Sequence, residues 1–435
     1  MEQIVGVCGI VLLLAMILLR VPIAAAMGLV GFIGYGMVNG WSNAARVMGQ
    51  VPFDSGSSYT LSQLPLFVLM GDLAVRSGMS GRLYSSAQTM FSGLRGSQAF
   101  ATLGASAGFG AVSGSSIATA ATMTRVALPS MRSARYDDRL SVGSVAAGGT
   151  LGILIPPSIA LVVYGMIAEQ SVPRLYAASL LPGILLFAIY VVIVALLTAF
   201  KSGMAPKEAL RASLGQRVRA LANVWEITLL FVVVIGGIYT GMLSATEAAA
   251  VGAAGAFLLG FLQRKLTLRD TMAGLRDTIL TSSMLFMILI SANIFTYFVV
   301  LTKLPQMLIS GIDAMGIGSY GIMLALLVFY IILGCFLEAF GMILITVPIF
   351  LPLVQSAGFD PIWFGVFLVL VVEAGMITPP VGMNIFVIQA QASDIPLIRI
   401  YQAVMPYVAG PILLCLLLVI FPAIALFLPE VLFAP

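Results

Sequence analysis

Apolar runs of about 20 residues, the length that carries an α-helix across a bilayer, follow one another along this chain from Ile4 to "LLCLLLVIFPAIALFLPEVLF" at its end. Inside hydrocarbon, every backbone N–H and C=O must find a partner within the protein, so runs of this length have to be helical. The longest polar stretch, about 201–222, is too short to bury a core of its own. The class is therefore an all-α polytopic membrane protein with no separate soluble domain. Only 9% of the residues are charged, against about 25% in soluble proteins.

Several chemistries are excluded by what is missing. There is no histidine, hence no His-based acid–base catalysis and no His-ligated metal. Cys8, Cys335 and Cys415 sit singly in apolar runs and read as small core hydrophobes. No HExxH motif appears, and no phosphate loop of a primary pump. The chain is expected to be no enzyme and to need no cofactor. Its net charge of +4 reads as loop charge beside a lipid bilayer, with no nucleic-acid partner. "MEQIVGVCGIVLLLAMILLR" lacks a basic start and a small-residue cleavage site, so it is expected to remain as a first helix.

One feature defies a simple bundle. "LGILIPPSIALVVYGMIAEQSVP" (151–173) places Pro156 and Pro157 in the middle of an apolar span, and "AGMITPPVGMNIFVIQAQASDIP" (374–396) does the same with Pro379 and Pro380. Proline lacks the N–H and clashes with the preceding turn, so both spans must break at depth. The spacing from Pro157 to Pro173 equals the spacing from Pro380 to Pro396. Laying Pro157 on Pro380 also sets "GFGAVSGSSIATAATMTRVALPSM" opposite "ILGCFLEAFGMILITVPIFLPLV", and "VPIAAAMGLVGFIGYG" opposite "ATEAAAVGAAGAFLLG". This order implies two repeats, 1–205 and 222–435, joined by a basic linker at 206–221. Each repeat is read as five crossing helices plus one re-entrant hairpin. The hairpins lie at about 97–130 and 320–355, and the broken helices at about 142–168 and 362–390.

Charge tests that count. With non-crossing hairpins, all 21 Lys and Arg except Arg46, Arg174 and Lys303 fall on one face. That face is cytoplasmic by the positive-inside bias, and both termini are periplasmic. The outward loops, about 39–57, 169–174, 242–245 and 301–319, are too short to fold into a solute-capturing domain. An odd number of crossings makes the repeats inverted, with one hairpin entering from each face.

Broken helices in inverted repeats are the recurrent build of secondary transporters. Their half-helix N-termini face anions and their freed carbonyls face cations. A packing kink would explain one broken helix but not two equivalent ones. In "AVSGSSIATAAT", Ser113, Gly114, Ser115 and Ser116 form a flexible polar tip. Close helix packing explains the neighbouring alanines but not three serines around a glycine. Glu338 and Glu373 are carboxylates in apolar surroundings, functional candidates by default. Either a site-tuning or a structural role stays open for them.

"GTLGILIPPSIALVVYG", "GSSIATAATM", "GMILITVPIFLPLV" with "GFDPIWFGV", and "ITPPVGMNIFVI" resemble the large membrane subunit of tripartite ATP-independent periplasmic (TRAP) transporters over nearly the whole chain. The resemblance implies an elevator-type carrier in the bacterial inner membrane that imports an organic acid with sodium as coupling ion. It also implies a small four-helix membrane partner and a soluble periplasmic substrate-binding protein. Because the chain opens on the large subunit's first helix, the small partner is expected to be a separate polypeptide. Residue by residue, the family's sodium sites fall on Ser113, Gly114 and Ser115 with Gly149, Thr150 and Gly152, and on Gly341 with Gly375, Thr378 and Gly382. Ser116, Pro156, Pro379, Asn384 and Glu338 are the candidates for substrate contact. Family members often carry Asp where this chain has Glu338. A stand-alone sodium/carboxylate symporter that needs no binding protein is the alternative. The substrate itself, whether dicarboxylate, keto acid or sugar acid, is not legible.

Overall fold

The computed structural model describes residues 2–201, 203–206 and 211–433. Linker positions 207–210, with the linker's Lys207, lie outside the described residues. All regular structure among them is helical. The first half runs α1 (Glu2–Leu18), α2 (Ile23–Asn39), α3 (Trp41–Gly56), α4 (Gln63–Arg76) and α5 (Met79–Phe91). Then come a hairpin, α6 (Ser97–Ser113) and α7 (Ser116–Ser133), a broken helix, α8 (Asp138–Leu154) and α9 (Ile159–Ile167), and α10 (Val172–Phe200). The linker carries α11 (Leu214–Ala222). The second half runs α12 (Trp225–Tyr239), α13 (Ala245–Leu262), α14 (Leu268–Leu301) and α15 (Leu304–Ala314). Its hairpin is α16 (Ser319–Gly334) and α17 (Ala339–Ser356), its broken helix α18 (Pro361–Met376) and α19 (Met383–Gln391), followed by α20 (Leu397–Ile420) and α21 (Ala423–Leu432).

The shift that lays Pro157 on Pro380 carries α7 onto α17, and the starts of α8 and α10 close to those of α18 and α20. Direction reverses between the halves. At the start of α8, the Asp137 N–H donates to the carbonyl of Met204, just ahead of the linker, at 3.0 Å. At the far end of α9, the Tyr164 hydroxyl donates to the Pro361 carbonyl, at the start of α18, at 2.5 Å. Helix α19 then returns to the first end, where Asp394 meets Arg132 at 2.7 Å. The two broken helices are thus antiparallel, and each hairpin opens at the opposite end from the other.

Five described helices are long and apolar enough to span a bilayer, or seven if two bent pairs each count as one. The shortfall against ten crossings has a physical cause: proline breaks and turns cut other apolar runs into pieces of 10–17 residues. Segments read as outward loops are also helical. Residues 39–57 hold α3, which packs on α2 and α14, and 301–319 holds α15 against α17.

Two groups of helices emerge from the packing. Helices α1–α4 and α12–α14 pack on one another, as do α6–α10 with α16–α20. In lipid, helices gain little from burying apolar surface against each other, so close approach of small residues and interhelical hydrogen bonds hold such groups together. Each hairpin sits on its broken helix through a glycine pair. A Cβ on Gly110 would lie 2.4 Å from Gly152 Cα, and one on Gly334 would lie 2.8 Å from Gly375 Cα. Helix α8 is tied to α10 by the Thr150–Tyr190 hydroxyl pair at 2.8 Å and to α20 by Ser144–Tyr407 at 3.1 Å. Such bonds contribute on average about 0.6 kcal/mol each.

Candidate functional site

The site is built where each hairpin tip meets the break of its own half. At tip 1 the chain reverses in two residues. Gly114 takes a left-handed φ of 61°, and a Cβ there would lie 2.6 Å from the Pro157 carbonyl oxygen. The Ile159 N–H, opening α9, donates to the Gly114 carbonyl at 3.3 Å. Ser115 caps α7, its hydroxyl accepting from the Ala118 N–H at 3.3 Å. Ser113 bonds Thr119 hydroxyl to hydroxyl at 3.0 Å, and Thr119 donates to the Ser115 carbonyl at 2.8 Å. The N–H groups of Ser116 and Ile117 open α7 without a helical partner, a positive helix end in the membrane.

Tip 2 uses the same plan with other residues. Glu338 caps α17, accepting from the Gly341 N–H at 3.2 Å. The Gly382 N–H, at the break, donates to the Cys335 carbonyl at 3.4 Å, and the Cys335 thiol to the Pro379 carbonyl at 3.3 Å. Thr378 turns its hydroxyl back onto the Ala374 carbonyl at 2.6 Å. The Tyr401 hydroxyl donates to the Pro380 carbonyl. Both proline pairs, Pro156–Pro157 and Pro379–Pro380, are joined by cis bonds.

A cavity of about 350 Å³ joins the two tips. It is lined by Ser113, Ser115, Ile117 and Ile159 from the first half, by Glu338 and Phe340 from the second, and by α4 and α14 across from them. Helices α4 and α14 add Asp72, Asp277, Thr278 and Thr281. Arg76 binds Asp72 at 2.5 Å and Asp277 at 2.6 Å. Three carboxylates thus face the cavity or its mouth beside one paired guanidinium. A second cavity, of about 420 Å³, lies at the opposite end between α3, α9 and α14, with Asp54, Glu169 and Asn293 in its lining.

The structure sorts the sequence candidates. Ser113, Ser115 and Glu338 line the cavity, with Gly114 at the turn between the serines. Gly149 and Gly152 pack beneath the tip: a Cβ on Gly152 would lie 2.3 Å from Thr119 Oγ1 and 3.1 Å from the Ser115 carbonyl oxygen. Thr150 points away, to Tyr190. Gly375 packs on Gly334, while Gly341 faces Ile23 of α2, 2.5 Å from a built Cβ. Ser116 and Asn384 are buried outside the cavity lining. Asp72, Asp277, Thr278 and Thr281 were missed. Asp72 had a signal, a carboxylate within "FVLMGDLAV". The residues of α14 had none, because only tertiary packing brings them opposite the tips.

Comparison with known proteins places this architecture. The family model described as "Tripartite ATP-independent periplasmic transporter, DctM component" matches residues 10–424. The C4-dicarboxylate TRAP transporter large permease protein DctM of Pseudomonas aeruginosa is 35% identical over 380 residues, covering 87% of this chain and 88% of that protein. The sialic acid TRAP transporter large permease protein SiaM of Vibrio cholerae is 31% identical, covering 86% and 87%. The ectoine TRAP transporter large permease protein TeaC of Halomonas elongata is 30% identical, covering 97% and 98%. Among solved structures, the YdaH transporter of Alcanivorax borkumensis shares the fold, with a TM-score of 0.63 at 13% identity over 88% of this chain and 89% of that one. The chain belongs to the DctM family, the large permease components of tripartite ATP-independent periplasmic transporters, and is a membrane transport protein rather than an enzyme.

Proposed function

We propose that this chain is the carrier of a tripartite importer that moves a small organic acid together with sodium. The supporting observation is the charge of the shared cavity, where Glu338, Asp72 and Asp277 outnumber the single Arg76. Two like charges about 4 Å apart repel by about 4 kcal/mol at an effective dielectric constant of 20. An organic anion enters such a space favourably only if cations enter with it. The N-terminus of α7 at tip 1 receives the substrate's carboxylate, a group shared by the C4-dicarboxylate, sialic acid and ectoine named for the three relatives. Cations take the carbonyls freed at the two breaks, with Ser113 and Ser115 on one side and Glu338 and Thr378 on the other.

Helices α6–α10 and α16–α20 act as the sliding body of an elevator, and α1–α4 with α12–α14 as its fixed frame. The repeats 1–205 and 222–435 are joined by a cytoplasmic linker, and both termini face the periplasm of a bacterial inner membrane. With this orientation the shared cavity opens inward. A small membrane subunit widens the frame, and a periplasmic binding protein supplies the affinity that the short outward segments lack.

Reconstitution tests this reading. In proteoliposomes, uptake should require this chain, the small subunit, the loaded binding protein and an inward sodium gradient. Glu338→Gln should raise the sodium concentration for half-maximal uptake about tenfold, the equivalent of one charge–dipole contact of about 1.4 kcal/mol. Accumulation by this chain alone would favour the stand-alone symporter, and uptake without sodium would refute the coupling.

A further inference from the structure

Behind tip 1, away from the shared cavity, lies a second polar cluster. The Glu373 side chain is 1% exposed, and neither carboxylate oxygen has a hydrogen-bond partner among the described residues. All five described ion pairs are made by Arg76, Arg82 and Arg132, and none includes Glu373. The Ser116 hydroxyl donates to the Met376 sulfur at 3.9 Å and stands near the carboxylate without closing a bond onto it. Asn384, in the first turn of α19, is fully buried, and both ends of its amide are also unpartnered. Its nitrogen lies beside Gly149, where a built Cβ would meet the Ala120 methyl at 3.0 Å, the Ser116 carbonyl oxygen at 3.4 Å and Asn384 Nδ2 at 3.5 Å. The bare glycine therefore lets the Asn384 amide and the Ser116 carbonyl come close to α8.

Buried polar atoms left this way are rare in native proteins, and a charged one requires a counter-charge. From these residues we infer an internal cation site, formed by Glu373, Asn384 and Ser116 over Gly149, that binds one alkali cation of sodium size on the side of tip 1 turned away from the shared cavity. The donors are a carboxylate, an amide oxygen, a hydroxyl and a carbonyl. All are hard oxygens, suited to an alkali or alkaline-earth ion and not to a soft metal, and one carboxylate balances one monovalent charge. The amide exchanges its oxygen and nitrogen by a half-turn, and no partner holds it in its present sense. The cluster draws on α7, α8, α18 and α19. In the alignment of the two halves, Glu373 corresponds to Thr150, which already has Tyr190 as partner. One site therefore forms between the halves instead of two. An ion there would bridge hairpin 1 to both broken helices and couple occupancy at the tips to the packing between them.

This inference rests on the sodium-coupled reading, and the test separates the two. Equilibrium binding of radioactive sodium is measured on the purified complex of this chain with its small subunit. Glu373→Gln should bind one ion fewer per complex than the unaltered protein. Asn384→Ala, which keeps the carboxylate, should leave the ion count intact and raise one half-saturating concentration about tenfold. It decides the matter if Glu373→Gln fails to assemble. Unchanged ion count and affinity in these variants, while Glu338→Gln weakens binding, would overturn the internal site and leave the coupling standing. No sodium binding by the unaltered complex would remove both.

Discussion

Tip 1 and tip 2 occupy equivalent places and cap equivalent helices, yet they carry opposite chemistry. With Pro157 laid on Pro380, Ser113, Gly114 and Ser115 fall on Phe336, Leu337 and Glu338. The same alignment lays Ile159 on Gly382, and in both halves the N–H at that position donates to a carbonyl of the tip. The backbone plan is shared. What differs is the group at the start of the descending helix: a neutral hydroxyl in one half, a carboxylate in the other. A helix N-terminus favours negative charge. At α17 that charge is supplied by Glu338. At α7 no side chain of the first turn supplies it. In the proposed function the two copies of one element divide the work, one receiving an anion and the other presenting one to cations.

The largest test removes this difference. Ser115→Asp would give tip 1 its own anion and still cap α7, since Asp caps as well as Ser. A substrate carboxylate arriving about 4 Å away would meet a repulsion of about 4 kcal/mol at an effective dielectric constant of 20, roughly a thousandfold in affinity. The half-saturating concentration of loaded binding protein for uptake should rise steeply, while Ser115→Asn stays near the parent. A Ser115→Asp protein that transports normally would place the substrate elsewhere than at α7.

The next test concerns the turn. Gly114 is left-handed and pressed on the Pro157 carbonyl. An alanine there costs about 1–2 kcal/mol in backbone strain alone, and its Cβ must also displace backbone 2.6 Å away. Gly114→Ala should lower uptake about tenfold or more at normal membrane abundance. Leu337, its counterpart, is outside the left-handed region and is 4% exposed, so Leu337→Ala should act through lost packing and cut thermal stability more than it cuts transport. Equal loss of transport in both variants would mean that the tips are more alike than their geometry.

Much of this was legible in the sequence because proline and glycine act locally. The paired prolines forced the breaks and the Ser-Gly-Ser stretch forced a tip, whatever lies around them. What depended on side-chain direction was not legible. Thr150 belongs to the motif at the break, yet its hydroxyl faces Tyr190, because the face of α8 that meets hairpin 1 is given to Gly149 and Gly152. The sequence of helix α3 reads as a loop because "WSNAARVMGQVPFDSG" mixes Gly, Asn and Pro52 with few apolar residues. Its contacts with α2 and α14 override that weak propensity.

The smallest test concerns the bases of the two hairpins. At the foot of hairpin 1, Arg132 in the last turn of α7 binds Asp138 of α8 at 3.1 Å and Asp394, beyond α19, at 2.7 Å. The equivalent position in hairpin 2 is Gln355, which joins no ion pair among the described residues. Hairpin 1 is thereby tied to both broken helices, while hairpin 2 lacks such a tie. The hydrogen bond from Arg132 holds the Asp394 carboxyl below the usual carboxylate range. A carboxyl lowered by folding stabilises the native state at pH values above its unfolded value, and that contribution is lost as pH falls through the folded value. Asp394→Asn should therefore have a constant effect from about pH 5 to 8 and lose it only below about pH 4. Because the pair is largely exposed, the effect should be modest, less than about threefold in uptake. It should appear as faster amide hydrogen exchange at the foot of α7, with α17 unchanged. Loosening of both hairpins together would show that their bases are coupled through the core, and that the tie at Arg132 does not distinguish them.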